Sequence, residues 1–444
     1  MIRVARILFL TQVLPYPLDA GPKIRAYYVL RALAQQHEIT LVSFVRADDR
    51  PEASAHLATF CRAVYTVPMQ RSFLRNVRAA LISGVSGQPL IVVRDEIGAM
   101  RALLRRLTQE QPFDFIHADQ VSMAQYALYA RRNLRHVHPN AAPRTFLDAH
   151  NALYLIPTRL ADYARNPLQR ALYRREARAL ARYEARTYRL FDPVAFVSDE
   201  DRRAILSVMG KAPAEALAAH STLIPICVDP ADRALVSRVA APKSVLHLGT
   251  MFWPPNIEGV LWFAEQVFPR VLEGAPEASF TIVGKNPPPA VESLPQRVRN
   301  IHVTGYVPEP DPYLKQAAAF IVPLHAGGGM RVKIVDGWSW GIPIVSTTIG
   351  AEGIEVRDGE NILLADTPDD FAAAVRRLLQ EPALGERLRE NGRAWMEERY
   401  NWRRVYPAWE QIYSGADDRR SEKRAGADGH RWPLIRKGEK GRRK

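Results

Sequence analysis

The chain has little cysteine: two residues in 444, Cys61 and Cys227, far apart in sequence. That excludes a disulfide framework and a cysteine-built zinc site, and it fits a reducing cytoplasm in which buried thiols behave as small apolar side chains. Long apolar runs are missing too. No stretch approaches the ~18 residues that a membrane span needs. The short apolar segment after Arg3 and Arg6 stops at Thr11-Gln12 with no small-residue cleavage site, so it reads as a first β-strand rather than a signal peptide. Lysine is scarce in the first half, where 29 of the 31 cations are arginine. Because of that bias, charge alone does not identify a partner. Its distribution still matters: residues 1–228 carry +12, 229–414 carry −4 and the last thirty carry +6. A basic front half suits a polyanion or an anionic membrane.

What is present is a repeated α/β pattern. Short apolar runs alternate with helical periodicity, as in parallel sheets covered on both faces. The pattern predicts strands at Ala5–Leu10, Ile39–Val45, Ala63–Val67, Phe113–His117, Thr145–Asp148 and Val194–Ser198. After a linker near Asp229–Lys243 a second series follows: Val245–Leu248, Phe280–Val283, Ile301–Val303, Ala319–Val322, Ile344–Ser346 and Ile362–Leu364. Helices are expected at about Asn256–Val271, Arg331–Trp340 and Asp369–Leu379, and Pro22 suits the first turn of a helix carrying Ile24, Tyr28 and Leu33. Two such halves imply a cleft, with ligands at the carboxyl ends of the strands. From Asn401 a last helix carries Val405, Trp409, Ile412 and Tyr413 on one face, so it docks on something. Residues 415–444 are charged and poor in apolar residues, which predicts a disordered basic tail.

The most informative stretch runs from His325 through Gly327-Gly328-Gly329, Arg331, Lys333 and Asp336 to Gly341-Ile-Pro343. It reads as strand, glycine loop, helix and a return to strand. Glycines permit close backbone approach, and a helix N-terminus offers free N–H groups to a diphosphate. Arg331 and Lys333 oppose the helix dipole in the first turn, which an anionic ligand would explain. Asp336 can accept hydrogen bonds from ribose hydroxyls. The alternative is a glycine loop that only turns the chain, with solvated cations.

This stretch resembles the donor-site signature of retaining, family-four glycosyltransferases of the GT-B fold, in which two Rossmann-like domains face each other across a cleft. The family carries two Glu separated by seven residues, followed by Gly-x-Pro. Asp336 falls on the second Glu, Gly341 and Pro343 on the Gly-x-Pro, and Gly328 stands where the first Glu is usual. The resemblance extends over residues 5–414. Gly249 and Thr250 match the glycine turn facing the phosphates, and Tyr306 and Val307 the loop that meets the base. Gly21 matches the glycine loop after the first strand, though Pro22 replaces a second glycine. Leu223–Asp229 matches a Pro-Asn-Gly-Val-Asp element near the hinge, with Ile226 and Cys227 for Asn-Gly. His150, at a strand end between Asp148 and Asn151, matches a histidine beside the donor sugar; a lone histidine is otherwise more often structural. Asp-x-His-Asn with Gly-Gly-Gly-x-Arg-x-Lys resembles sugar transferases encoded with bacterial exopolysaccharide systems, including PEP-CTERM systems.

The resemblance implies an acceptor-side domain at residues 1–228, a nucleotide-sugar donor domain at 229–393 and a segment at 394–414 returning to the first domain. It implies transfer of a hexose from a nucleoside diphosphate to a hydroxyl of a glycan or lipid-linked acceptor, with retention. Arg331, Lys333 and the helix N-terminus would stabilise the departing diphosphate, with no cofactor and no metal. An epimerase of the same fold and a silent scaffold remain as alternatives. Asp199-Glu200-Asp201 has the form of a metal motif but reads better as a helix N-terminus. The arginines of Arg159–Arg189 lack aromatic platforms, so an exposed helical face is expected there, touching anionic lipid rather than nucleic acid. Arg71–Ile82 interleaves arginine with Phe73, Leu74, Val77, Leu81 and Ile82: either an interfacial helix or a core helix with solvated arginines.

Overall fold

The computed structural model describes residues 4–413 except 48, 70, 71, 165, 234, 240–242 and 252. The basic tail at 415–444 and Arg71 therefore lie outside the described residues. Seven strands make the first sheet: β1 Arg6–Thr11, β2 Glu38–Val45, β3 Ala63–Pro68, β4 Phe115–Asp119, β5 Arg144–Ala149, β6 Val194–Phe196 and β7 Ser221–Leu223. All pair in parallel in the order β3-β2-β1-β4-β5-β6-β7. Six make the second: β8 Ser244–Leu248, β9 Ser279–Val283, β10 Ile301–Gly305, β11 Ala317–Val322, β12 Ile344–Ser346 and β13 Leu363–Leu364, in the order β10-β9-β8-β11-β12-β13. These are the two Rossmann-like domains of a GT-B fold.

Burial explains why these runs are strands. All six residues of β11 are buried, as are five of six in β1, which is what helices on both faces of a parallel sheet require. In each sheet the strand order reverses beside its first strand, between β1 and β4 and between β8 and β11. Crevices open at such points, beyond the carboxyl ends of the strands. The helix Gly21–Leu33 leaves the β1 crevice with Pro22 in its first turn. The helix expected at Asn256–Val271 is three pieces, Pro254–Trp262, a π-turn at Phe263–Val267 and Phe268–Gly274.

The chain then returns. The helix Pro382–Arg399 runs across the boundary drawn at residue 393 and packs so closely on Val332–Trp340 that a β-carbon at Gly392 would lie 2.3 Å from Trp338. Val228 bridges to Asn401 at the hinge. Beyond it Tyr406, Trp409 and Tyr413 are buried against the first domain, with the Tyr413 ring 4.5 Å from Phe146.

Candidate functional site

The expected site residues gather at three places around the crevices. The first is the end of β8. A β-carbon on Gly249 would lie 2.9 Å from Asn256 Nδ2, 3.1 Å from Lys333 Nζ and 3.1 Å from His247 Nε2. Lys333 Nζ donates to Asn256 Oδ1 at 3.0 Å, and Asn256 Nδ2 donates to the Thr250 carbonyl at 2.9 Å. Burial, aided by the neighbouring Arg331, pulls the Lys333 ammonium down to about 7 against the opposing effect of Asp336. His247 is buried, shares a 3.1 Å hydrogen bond between Nδ1 and the Ile321 carbonyl, and is held neutral by burial and by Lys333. An ammonium has three donors, and this one sits under a bare glycine turn with a neutral imidazole alongside. An anionic oxygen over Gly249 would complete it.

The second place is the glycine loop. Arg331 differs from its expected position: it is the N-cap of the helix Val332–Trp340, and its side chain turns back into the loop. Nη1 donates to the carbonyls of Gly328 and Gly329 at 2.6 and 2.7 Å, while Nε and Nη2 are buried without a hydrogen bond. Burial brings its pKa down to about 10. The glycines also meet something other than a ligand. Gly329 has φ +76°, and a β-carbon there would lie 2.7 Å from the His150 carbonyl oxygen. Gly328 faces Ile156, and Gly21 faces Val332 at 3.1 Å from its notional β-carbon, so the loops of the two domains touch. Arg159, expected on an exposed face, instead crosses to the second domain. Its Nη2 binds Glu352 Oε1 at 2.6 Å, and Nη1 donates to Glu352 Oε2 and to the Gly327 carbonyl.

The third place is the end of β4 and β5. His150 Nε2 binds Asp119 Oδ1 at 2.9 Å, with Asp148 Oδ2 at 3.7 Å. Burial would lower the His150 pKa, but Asp119 and Asp148 outweigh it and raise it to about 9, so the ring is an imidazolium near neutral pH. Its Nδ1 is buried with no hydrogen-bond partner. Asp148 is gripped by Arg25 through both oxygens at 2.9 and 3.0 Å, which holds the carboxyl well below its usual range in spite of burial. Arg25 also donates to Tyr406 Oη at 3.1 Å and to the Pro225 carbonyl at 2.6 Å, tying the site to the hinge and to the returning segment. Ligand atoms of His117, Asp119 and Asp148 lie within 4.8 Å of one another, close enough for a metal. Arg25 engages both oxygens of Asp148, His150 engages Asp119 Oδ1 and His117 Nδ1 is 2.7 Å from Tyr413 Oη, while Asp119 Oδ2 and His117 Nε2 are buried without a hydrogen bond. A dication would enter beside two existing cations.

Other expected residues lie apart from these three. Asp336 Oδ1 faces Arg233 at 3.2 Å, and burial raises its pKa against Arg233 and Lys333. Tyr306 is 63% exposed just after Gly305, whose φ is +71°, and Val307 packs against the core. Asp199-Glu200-Asp201 forms the first turn of the helix Asp199–Ser207; Ser198 caps it and Asp201 accepts from the Ala152 N–H at 2.8 Å. Asn256, His247, Asp119, Arg25, Arg159 and Glu352 were not singled out from the sequence. Of these only Asp119 left a signal, as a carboxylate ending an apolar strand.

Residues 242–381 match the family described as Glycosyl transferases group 1. An uncharacterised 44.6 kDa protein of the cps region of Klebsiella pneumoniae is 22% identical over 416 residues, 91% of this chain and 98% of that one. An uncharacterised glycosyltransferase of Methanocaldococcus jannaschii is 26% identical over 24% of this chain and 30% of its own length. Among solved structures, Anabaena HepE in complex with UDP and glucose superposes with a TM-score of 0.63 at 14% identity, covering 93% of this chain and all of that one. A trehalose-phosphate synthase from Burkholderia vietnamiensis gives 0.58 at 14%, covering 94% of this chain and all of its own.

Proposed function

We propose that this chain, a glycosyltransferase-like protein of the GT-B fold related to glycosyl transferases group 1, moves a hexose from a nucleoside diphosphate to a hydroxyl of a lipid-linked glycan. The product keeps the anomeric configuration, and the setting is bacterial exopolysaccharide assembly at the inner face of the membrane. The observation that carries the reading is the under-partnered Lys333 beneath Gly249, across the glycine loop from the buried His150–Asp119 pair. One end suits a diphosphate and the other a sugar about to lose it. HepE, bound to UDP and glucose, shares the fold, which makes UDP-sugars the first donors to try. The Klebsiella relative's cps-region name supports the polysaccharide setting.

In this reading Lys333, Gly249, Thr250 and the N–H groups of Gly327, Gly328 and Gly329 hold the diphosphate. Arg331 fixes the loop that presents them and adds its charge from within. Asp336 takes ribose hydroxyls, Tyr306 and Val307 border the base, and Gly21 lets the first domain close over the sugar. The bond from the anomeric carbon to the phosphate oxygen breaks through an oxocarbenium-like transition state. Charge growing on the leaving oxygen is met by Lys333 and the loop, fixed in place before reaction. The acceptor oxygen attacks from the same face and its proton passes to the departing phosphate, so no metal is required. The His150 imidazolium, held by Asp119, stands at the sugar end as a donor. The test is a single-turnover assay with radiolabelled sugar nucleotides and membrane extract. Label moving into a lipid-extractable glycan supports the reading; an epimerised donor, or no reaction with any donor, overturns it.

A further inference from the structure

The helix Phe73–Ser86 sits the wrong way round for a core helix. Its buried residues are the small ones, Ala79 and Ser83, one turn apart. Its large apolar residues face out: Phe73 is 80% exposed, Leu74 79%, Leu81 67% and Val85 93%. A helix that needed burial would present that face to the protein. The helix is firmly attached nonetheless. Ser72 caps it through the Arg75 N–H, and Arg75 donates to the carbonyls of Arg94 and Glu96. From the neighbouring helix Pro167–Thr187, Arg175 Nη1 donates to Ser83 Oγ at 2.7 Å.

That neighbour also carries exposed apolar residues. Leu168 and Leu172 share a helical face with Arg175 by their spacing, and they are 70% and 60% exposed. The two helices, joined at Ser83, thus both carry exposed large apolar side chains, and a concentration of these marks an interaction site. Beside it an open groove of about 650 Å³ is lined by Leu74, Arg75, Arg78 and Ile82 of this helix and by Val93 and Glu96 of the segment that follows. Arg78, which lines the groove, and Arg174 of the neighbouring helix are both exposed, and residues 1–228 carry +12. An apolar face edged by arginine on a strongly basic half is complementary to an anionic bilayer, with side chains in the acyl boundary and guanidiniums at the headgroups.

We propose that the helices Phe73–Ser86 and Pro167–Thr187 together form a docking face for an anionic lipid surface, with Phe73, Leu74, Leu81 and Val85 inserted. The proposal rests on the membrane setting of the proposed function but not on the transfer reaction. The test is co-sedimentation of the full chain with vesicles of phosphatidylcholine alone or mixed with phosphatidylglycerol. Salt is set at about 0.1 M and about 1 M, where the screening length falls from about 10 to about 3 Å. Expected are binding to the anionic vesicles at low salt, its loss at high salt, and at least a tenfold loss in Phe73→Ser/Leu74→Ser. The double variant should keep the wild-type melting temperature and its affinity for UDP, which separates a failed surface from a failed donor site. Binding that survives the double change but vanishes when residues 415–444 are deleted overturns the proposal in favour of the tail. So does a salt-insensitive dimer that the double change dissociates without any vesicle binding, because the face would then belong to a second copy.

Discussion

If Lys333 is the cation beneath the diphosphate, donor affinity must depend on pH in a way few lysines allow. Its pKa of about 7 in the free protein comes from burial and from Arg331. An anionic oxygen over Gly249 returns it towards the ordinary value of ~10.4. Binding is then coupled to proton uptake. Below about pH 7 the ammonium is already present and affinity is flat with respect to this group. Above it, each pH unit weakens binding about tenfold, or about 1.4 kcal/mol, until the pKa of the complex is reached. From about pH 7 to about pH 9 the loss is about fiftyfold. The diphosphate's own titration lies near pH ~6 and does not enter this window, and His150, at about 9, contributes only at its upper edge. Calorimetric titration with UDP, repeated in buffers of different ionisation heat, measures both Kd and protons taken up. Lys333→Arg, charged throughout, should abolish the slope, and Lys333→Ala should bind weakly and without it. A wild-type Kd that is flat across the window, with no proton uptake, refutes the assignment.

Four further outcomes follow from the same geometry. His150→Ala should lower turnover far more than donor affinity, measured by kcat against Kd for UDP; equal kinetics would make His150 structural. Asp148→Asn leaves Arg25 buried without its anion and should cost about 3–5 kcal/mol by chemical denaturation. Because the folded-state pKa of Asp148 is depressed, its contribution is present above the unfolded value of ~3.9 and lost as pH falls below it. Gly329→Ala forces φ +76° on a side chain that meets the His150 carbonyl, so it should cost about 1–3 kcal/mol of stability and depress turnover. Transfer should survive EDTA, and a strict requirement for added divalent metal would put the His117–Asp119–Asp148 group back into the mechanism.

How much of this was legible depended on the range of the interaction. Apolar runs such as Ile344–Ser346 announce buried strands by themselves, and their bounds agree with the structure. Ser221–Leu223 was missed because three half-exposed residues carry no periodicity, and it is a strand only because β6 lies beside it. The π-turn at Phe263–Val267 is invisible to a pattern that assumes one helical period. At the site, the glycine loop, Lys333 and His150 stood out because each lies in a local motif. Asn256, Arg159 and Glu352 did not, because their roles are set by contacts across 77 and 193 positions of chain. Arg331 shows the same limit from the other side. Its place in the loop was legible, but the direction of its side chain was decided by two carbonyls made available by the loop's own path.

The returning segment has a consequence for how the protein is made. Tyr406, Trp409 and Tyr413 cover Arg25, His117 and Phe146, yet they leave the ribosome only after both sheets. At about 5–20 residues per second, roughly ten to forty seconds separate the end of the first domain from the arrival of its cover. During that interval Arg25 lacks the Tyr406 hydroxyl, and an apolar side of the first sheet stands open. The first 228 residues are therefore not a module to be excised and studied alone. Their last layer is encoded at the far end of the described chain, and a ribosome stalled in the second domain would carry an unfinished first one.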